Sequence, residues 1–361
     1  MLLWDIPHQI LETAPPRLFL SPALLARVLA NARILLDEPS PFRSIGKTIR
    51  FKLGLLRRVY VLSCLEHIAP RLVITFIDND YLFQWASRRL RHIPFFAVQN
   101  GTRLPYDVST WLPTPPHPAH HISMPHFFCF GEHERDLYSR FGHKIDHYHP
   151  VGSVRASYYR SRIAKMTAMR NYDLCLISQW SRAIAGADTK LPEIALSLSI
   201  LDEFLVRYAS EHDVRLCVAL RSSDTYEAEH FRHLFGDRAI LIKNDRERMS
   251  TYAAIDASEV ALAMDSTAGW EAFGWGHKIL FCNFSGHDNY DFPCPGSWAI
   301  NEPSYELFKS RLQALCAMEY AAFRDLSRKA AYYVMNHDDI KPAFETIRSE
   351  IRKSVARTSN A

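Results

Sequence analysis

No run of eighteen apolar residues occurs in this 361-residue chain, so no membrane-spanning helix is expected. The opening segment, MLLWDIPHQILETAPP, lacks the basic stretch and long apolar core of a secretory leader. No two cysteines stand in C-x-x-C spacing. The seven present (64, 129, 175, 217, 282, 294 and 316) are scattered and odd in number, and they read as reduced, buried thiols of a cytoplasmic protein. The net charge of +4 is too small to argue for nucleic acid. There is no G-x-x-x-x-G-K-[ST] loop and no G-x-G-x-x-G after the first strand, which removes the usual ATPase and dinucleotide signatures. A G-x-S-x-G elbow is also missing, which argues against a Ser-His-Asp hydrolase. Internal repeats and low-complexity tracts are absent.

Metal sites are weakly indicated. His117, His120 and His121 cluster in a proline-rich loop, and His143, His147 and His149 lie near a strand. Neither set has His-x₃-His helical spacing or cysteine partners. Asp78-Asn79-Asp80 superficially resembles the D-x-D of metal-dependent sugar transferases. We expect neither a metal nor a cofactor.

What is present is the composition of a globular protein with sizeable cores, 48% apolar and 23% charged, and long enough for two domains. Apolar strands alternate with helices. Expected strands are 71–77, 94–99, 126–131 and a short one within KIDHYHPVGSVRAS, and then, after a basic helical passage, 172–178, 214–220, 239–243, 260–264 and 278–282. This repeated alternation predicts an α/β fold of two Rossmann-like, doubly wound parallel-sheet domains facing a cleft, with a helical C-terminal tail. The boundaries are 1–155 for an acceptor-side domain, 156–172 for the passage, 173–300 for a donor domain and 301–361 for the C-terminal helices.

The most informative unit runs from Ser258 to Ser285. A strand enters the polar turn Asp265-Ser266-Thr267, a short helix carrying Glu271 follows, and a second strand ends the unit. In open α/β sheets, ligands bind outside the carboxyl ends of strands. Small hydroxyl residues opening a helix suit a phosphate, and Glu271 is placed to hold ribose hydroxyls. An ordinary capped helix is the plainer reading. Polar residues at the other strand ends complete the candidates. Those of the second domain are Ser178 and Arg221. Those of the first are Asp78, Asp80, Gln99, Asn100, Arg103 and Glu132. A carboxylate facing a basic, hydroxyl-rich pocket suits group transfer from an activated phosphate ester. Asp78 as a helix N-cap, Glu132 as a helix-dipole partner and Arg221 as a surface ion-pair residue are the structural alternatives.

Three stretches also carry a resemblance: TFIDNDYLF with FFAVQNGTR, FCFGEHERDLYSRFGHKIDHYHPVGSVR, and DSTAGWEAFGWGHKILFCNF, spanning roughly residues 70–290. They resemble bacterial surface-carbohydrate biosynthesis proteins of the two-lobed GT-B glycosyltransferase fold. The resemblance implies metal-independent transfer of a sugar from a nucleotide-activated donor to a surface polysaccharide (capsule or O-antigen) or its lipid-linked precursor. It places Ser266, Thr267 and Glu271 on the donor phosphates and ribose; the strand-end reading of the residues sets Ser178, Arg221 and Asp265 beside them. From strand-end position, not from the resemblance, Asp78 or Glu132 is expected as the base if the reaction inverts, with donor phosphate chemistry dominating if it retains, and Asp80, Gln99, Asn100, Arg103, Ser153 and Arg155 are expected on the acceptor side or in the cleft. A CDP-glycerol-type phosphotransferase and a non-catalytic sugar-nucleotide-binding protein remain alternatives.

One segment points to a membrane surface. Arg43, Lys47, Arg50, Lys52, Arg57 and Arg58 interleave with apolar residues from Phe42 to Leu65. That pattern fits a basic amphipathic helix on the anionic inner face of the cytoplasmic membrane. The alternative is a surface helix with its leucine side in the core.

Overall fold

The computed structural model describes residues 21–37, 44–110, 122–164, 170–185, 189, 191–223 and 225–359. Two parallel sheets organise it. The first contains β1 (Val73–Thr75), β2 (Phe95–Val98), β3 (Ser123–Cys129) and β4 (Lys144–Pro150) in the order β1-β2-β3-β4. The second contains β5 (Tyr172–Ile177), β6 (Leu216–Ala219), β7 (Ala239–Ile242), β8 (Ser258–Ala263), β9 (Ile279–Cys282) and β10 (Ala299–Ile300), ordered β10-β9-β8-β5-β6-β7. Every pairing is parallel, for example Phe96 opposite His126 and Leu174 opposite Val260. The chain order reverses between β5 and β8, which makes their carboxyl ends a topological switch point.

Strands covered on both faces are uniformly apolar, as β2, β6 and β9 show by burying all four of their residues. The first strand is shorter than its apolar run. It lies at the edge of its sheet and stops at Thr75, leaving Phe76 and Ile77 exposed. Helix starts follow local chemistry. Ser21 caps Pro22–Asn31 by accepting from Leu24 N, and Pro192 opens Pro192–Glu211 with its missing N–H at no cost. All seven cysteines are free thiols.

The C-terminal helices divide between the lobes. Tyr305, Phe308, Leu312, Leu315, Phe323 and Val334, from the helices Tyr305–Ala317 and Tyr320–Val334, join the core of the second lobe. The last helix, Ala343–Ser359, returns to the first lobe. It packs Phe344, Ile347 and Ile351 on Phe96, Val98 and Phe128, covering one face of that sheet. The crossing segment docks at two glycines. A Cβ on Gly131 would meet Tyr333 O at 2.1 Å, and one on Gly152, whose φ is +78°, would meet Asn336 O at 2.4 Å. Asn336 secures the crossing by donating its N–H to Phe130 O and its side-chain amide to Pro150 O, both at 2.7 Å.

Candidate functional site

At the switch point the loops are held by buried carboxylates. Glu227, in the first turn of Thr225–Phe235, accepts from Arg221 N, Ser222 N and Ser222 Oγ, each at 2.9 Å, and from Ser178 Oγ. The Ser178 hydroxyl is therefore committed to positioning. Arg221 is held by its backbone, and its exposed guanidinium makes no ion pair among the described residues. Gln179 braces the neighbouring turn, accepting from Met264 N and Asp265 N and donating to the Asp265 carboxylate. Burial raises the Asp265 pKa, against the pull of the Gln179 hydrogen bond. Ser266 is the N-cap residue of Thr267–Gly274, yet its side chain makes no capping bond. The amides of Thr267, Ala268 and Gly269 have no acceptor among the described residues, and those of the half-buried Thr267 and Ala268 open this helix start, while Gly269 is buried.

The first lobe repeats the device. Glu134, in the first turn of His133–Arg140, accepts from Gly131 N and from Gln99 Nε2, both at 2.9 Å. Gln99 Oε1 in turn accepts from Phe130 N. Burial pushes Glu134 up to about 7 in spite of these bonds. Asp78 is wholly buried. Arg103 Nη2 donates to its Oδ1 at 2.6 Å, while Arg103 Nε and Tyr138 OH donate to its Oδ2 at 3.0 and 3.2 Å. Those bonds make Asp78 the anchor of Arg103 and leave it no access to a substrate proton, which corrects its expected role as base. Arg103 also donates to Asn100 Oδ1, fixing the loop after β2. Asp80 caps Tyr81–Arg89 through Leu82 N, so the two aspartates of Asp78-Asn79-Asp80 serve separate structural ends. Glu132 is half-buried at the start of His133–Arg140, with Oε2 2.8 Å from Arg135.

The two sets meet. Thr267 Oγ1 accepts from Thr102 N at 3.0 Å and lies 3.1 Å from Thr102 Oγ1. Arg155 donates to Asn100 O at 2.8 Å and stands 4.0 Å from Glu271. Glu271 itself is wholly buried. Its Oε1 accepts from Ser153, the N-cap of Val154–Tyr158, and its Oε2 from Tyr252 OH at 2.6 Å. Both oxygens are engaged, so the carboxylate expected to grip ribose instead ties the exit of the first lobe to the second. Burial raises its pKa, opposed by Arg155, Ser153 and Tyr252. Sequence reasoning passed over Glu134, Glu227 and Tyr252. The detectable signal was an acid in the first turn of a helix directly after a strand, present in both lobes.

Beside this cluster a cavity of about 650 Å³ opens between the lobes, from Leu104 and the helix His133–Arg140 on one side to the segment from Asn283 to Asn301 on the other. Among the described residues, no three histidine, cysteine or acidic side chains converge as metal ligands. His143 Nδ1 accepts from Ile122 N, and His147 and His149 stack against His126 along the sheet. His117, His120 and His121 lie outside the described residues.

The fold has solved counterparts. The UDP-GlcNAc 2-epimerase of Neisseria meningitidis, bound to UDP-GlcNAc, superposes with a TM-score of 0.54 at 14% identity over 91% of this chain and 89% of that one. The Methanocaldococcus jannaschii UDP-GlcNAc 2-epimerase, in complex with UDP-GlcNAc and UDP, gives 0.53 at 13% identity over 89% and 87%. At such identities the likeness establishes the two-lobed GT-B-like fold. No curated protein matches the sequence. A family model described as "putative O-antigen biosynthesis protein" matches residues 96–344, which takes in the ends of β2 and β3, the switch point and the crossing segment. By that match over more than half its length, the chain belongs to this family of O-antigen biosynthesis proteins.

Proposed function

We propose that the protein is a glycosyltransferase that takes a sugar from a nucleotide-activated donor and passes it to a glycan or lipid-linked acceptor in surface-polysaccharide assembly. One observation carries the donor site: the uncapped start of Thr267–Gly274 at the switch point. Its open amides, the Ser266 hydroxyl and the Arg221 guanidinium, which makes no ion pair among the described residues, suit a diphosphate. The amides and Arg221 would stabilise charge developing on the leaving phosphate. Glu132 is the first-lobe carboxylate assigned as base, because its Oε1 has no partner among the described residues. The reading requires no metal, so chelation with EDTA should leave donor binding unchanged.

The test is a thermal-shift screen of CMP-, CDP-, UDP-, GDP- and TDP-linked donors, repeated on Ser266→Asp. An aspartate at the N-cap satisfies the open amides and repels phosphate, so this variant should melt higher and lose donor binding. If no donor stabilises the protein, or the variant binds donor as well as wild type does, the assignment is wrong. The released nucleotide then separates reactions. A UDP, GDP or TDP sugar leaving its diphosphate indicates glycosyl transfer, and CMP released from a CDP-alcohol indicates phosphotransfer. Diphosphate release that needs no acceptor and leaves the sugar free instead indicates hydrolysis or epimerisation.

We also propose association with an anionic membrane surface. No described helix is long and apolar enough to cross a membrane. The helix Ile45–Ile68, however, exposes Ile45, Ile49, Leu53 and Leu56 on one face, beside exposed Lys47, Arg50 and Arg57. Only its second half is buried in the core, so the leucine side is not wholly internal. Lys52 donates to Leu35 O and Arg58 packs over the Tyr81 ring, so these two are partly engaged within the protein. Arg43 lies outside the described residues.

A further inference from the structure

We infer that Glu134, acting through Gln99, is a positioning residue that holds the first-lobe loop 99–103 against Thr267 of the second lobe while its carboxyl is ionised, and releases it on taking up a proton. The contacts run without a gap. Gln99 Nε2 gives one hydrogen to Glu134 Oε1 and the other to Gly101 O, each at 2.9 Å. The N–H of that same peptide group belongs to Thr102 and donates to Thr267 Oγ1 at 3.0 Å. In a trans peptide the C=O and N–H point opposite ways, so this one group is gripped from both lobes. The fit is close, since a Cβ on Gly101 would lie 3.4 Å from Thr267 Oγ1. Glu134 is wholly buried and Gln99 is 4% exposed, so the protein itself must supply their hydrogen bonds.

The donor and acceptor inventory requires the ionised form. Both groups facing the Glu134 oxygens are donors, Gln99 Nε2 at Oε1 and Gly131 N at Oε2. A carboxylate only accepts and meets both, whereas a carboxylic acid sets its O–H against one of them. Gly131 cannot move aside, because Tyr333 O packs where its Cβ would be. Gln99 is therefore the partner that yields. Turning its amide over does not repair the contact. Its oxygen would meet the acid proton, but its nitrogen would face Phe130 N, which now donates to Oε1 at 2.8 Å, and the bond to Gly101 O would be lost.

Burial pushes Glu134 up to about 7, which sets the change near physiological pH. Other titratable groups surround it. Asp78, from the loop after β1, is paired with Arg103, and Glu132 with Arg135 on the same helix. Burial pushes Cys129 of β3 and Tyr138 well above their ordinary values and raises Tyr148 of β4 and Tyr333, so these stay neutral. His133 is held to about 4 and is neutral as well. Fold and loop then respond in opposite senses. The folded carboxyl takes its proton near 7 and the unfolded one near 4.5, so this group stabilises the fold as pH falls between those values, while the same proton loosens the loop. That the loop governs donor access rests on the proposed donor turn; the clasp itself does not.

The experiment is hydrogen exchange of the Thr102 amide on the full chain without nucleotide, from pH 5.5 to 8.5, expressed as protection over the intrinsic rate at each pH. Protection should fall about tenfold as pH drops through the Glu134 titration, the loss expected for one hydrogen bond. Stability of wild type relative to Glu134→Gln should rise over the same range. Glu134→Gln keeps the shape and presents one donor and one acceptor, as the protonated acid does, so its Thr102 protection should be low at every pH. Gln99→Met cuts the relay and should behave alike, with thermal melting confirming that both variants fold. Wild-type protection independent of pH, or a folded variant whose Thr102 amide titrates as wild type does, overturns the inference. UDP-N-acetylglucosamine, whose phosphodiesters do not titrate near pH 7, tests the consequence for the donor. Its binding displaces Thr102 from Thr267, so wild type should bind it several-fold more tightly at pH 6 than at pH 8, and Glu134→Gln equally at both. Failure to bind at any pH counts against the donor turn, while the Thr102 profile still decides the clasp.

Discussion

Replacing Glu271 separates a strut from a ligand contact. Its oxygens accept from Ser153 and Tyr252, and those two hydroxyl-bearing residues are themselves 2% and 7% exposed. Glu271→Ala leaves both hydroxyls buried without an acceptor. Each unmet group costs about 1–3 kcal/mol, so the pair should cost about 2–6 kcal/mol. Arg155 is not counted, since its side chain is 59% exposed and 4.0 Å away. Glu271→Gln preserves shape and one carbonyl acceptor, while its amide donates to whichever hydroxyl reorients. It also removes a buried charge whose raised pKa shows that burial outweighs the favourable partners. The glutamine variant should therefore be as stable as wild type or more so. The sign of the pH effect follows. Between the ordinary carboxylate pKa of 4.5 and the raised folded value, the folded state holds the extra proton. Stability from this group thus falls as pH rises through that window, and the slope vanishes in Glu271→Gln. Urea denaturation of the three proteins from pH 4 to pH 8, without nucleotide, measures all of this. A Glu271→Ala midpoint equal to wild type, or a glutamine variant as weak as the alanine one, would refute the strut.

Arg103→Met strands the buried Asp78 charge and should cost about 3–5 kcal/mol by chemical denaturation, with Asp78→Asn in the same chain recovering part of the loss. Burial holds His133 to about 4 and His277 to about 3 while the unfolded chain protonates both near 6.5, so each opposes folding by on the order of 3 kcal/mol as pH falls from 6.5 to 4. Buried carboxylates such as Glu134 act in the opposite sense over the same range, so the check is by difference: the gap in melting temperature between wild type and His277→Phe should change in favour of the variant as pH falls, and a gap constant with pH would contradict the assignment. Vesicles containing anionic lipid should float the protein, and neutral vesicles should not. Leu53→Ser with Leu56→Ser should reduce recovery several-fold; equal recovery on both lipids counts against the exposed stripe.

The β-α alternation was legible because strands buried on both faces must be apolar along their whole length, as Phe95–Val98 and Ile279–Cys282 are. Local pattern also located the open helix start at Ser266, since turn chemistry is written in adjacent residues. It said nothing of the return of Ala343–Ser359 to the first sheet, whose partners Phe96 and Phe128 lie more than two hundred residues away in the chain. Nor did it show that Asp78 belongs to Arg103 and Glu271 to Ser153 and Tyr252. A carboxylate at a strand end has the same local signature whether it awaits substrate or already holds a neighbour. Burial and the partner's identity decide, and both are tertiary.

These contacts divide the space between the lobes by strength. Glu271, Ser153 and Tyr252 are fully or nearly buried, and the Gly152–Asn336 approach beside them tolerates no side chain. Thr102 and Thr267, by contrast, are half-buried hydroxyl residues, and each of their hydrogen bonds contributes only about 0.5–1.5 kcal/mol net. Thr267 opens the same helix whose free amides suit a donor phosphate, so in this closed arrangement Thr102 stands where such a phosphate would approach. Parting that contact costs little against what a diphosphate gains from several charge-assisted hydrogen bonds. Of the contacts between the lobes, the threonine pair is therefore the weaker and the Glu271 strut the stronger, and donor binding at the proposed site would displace the first before the second.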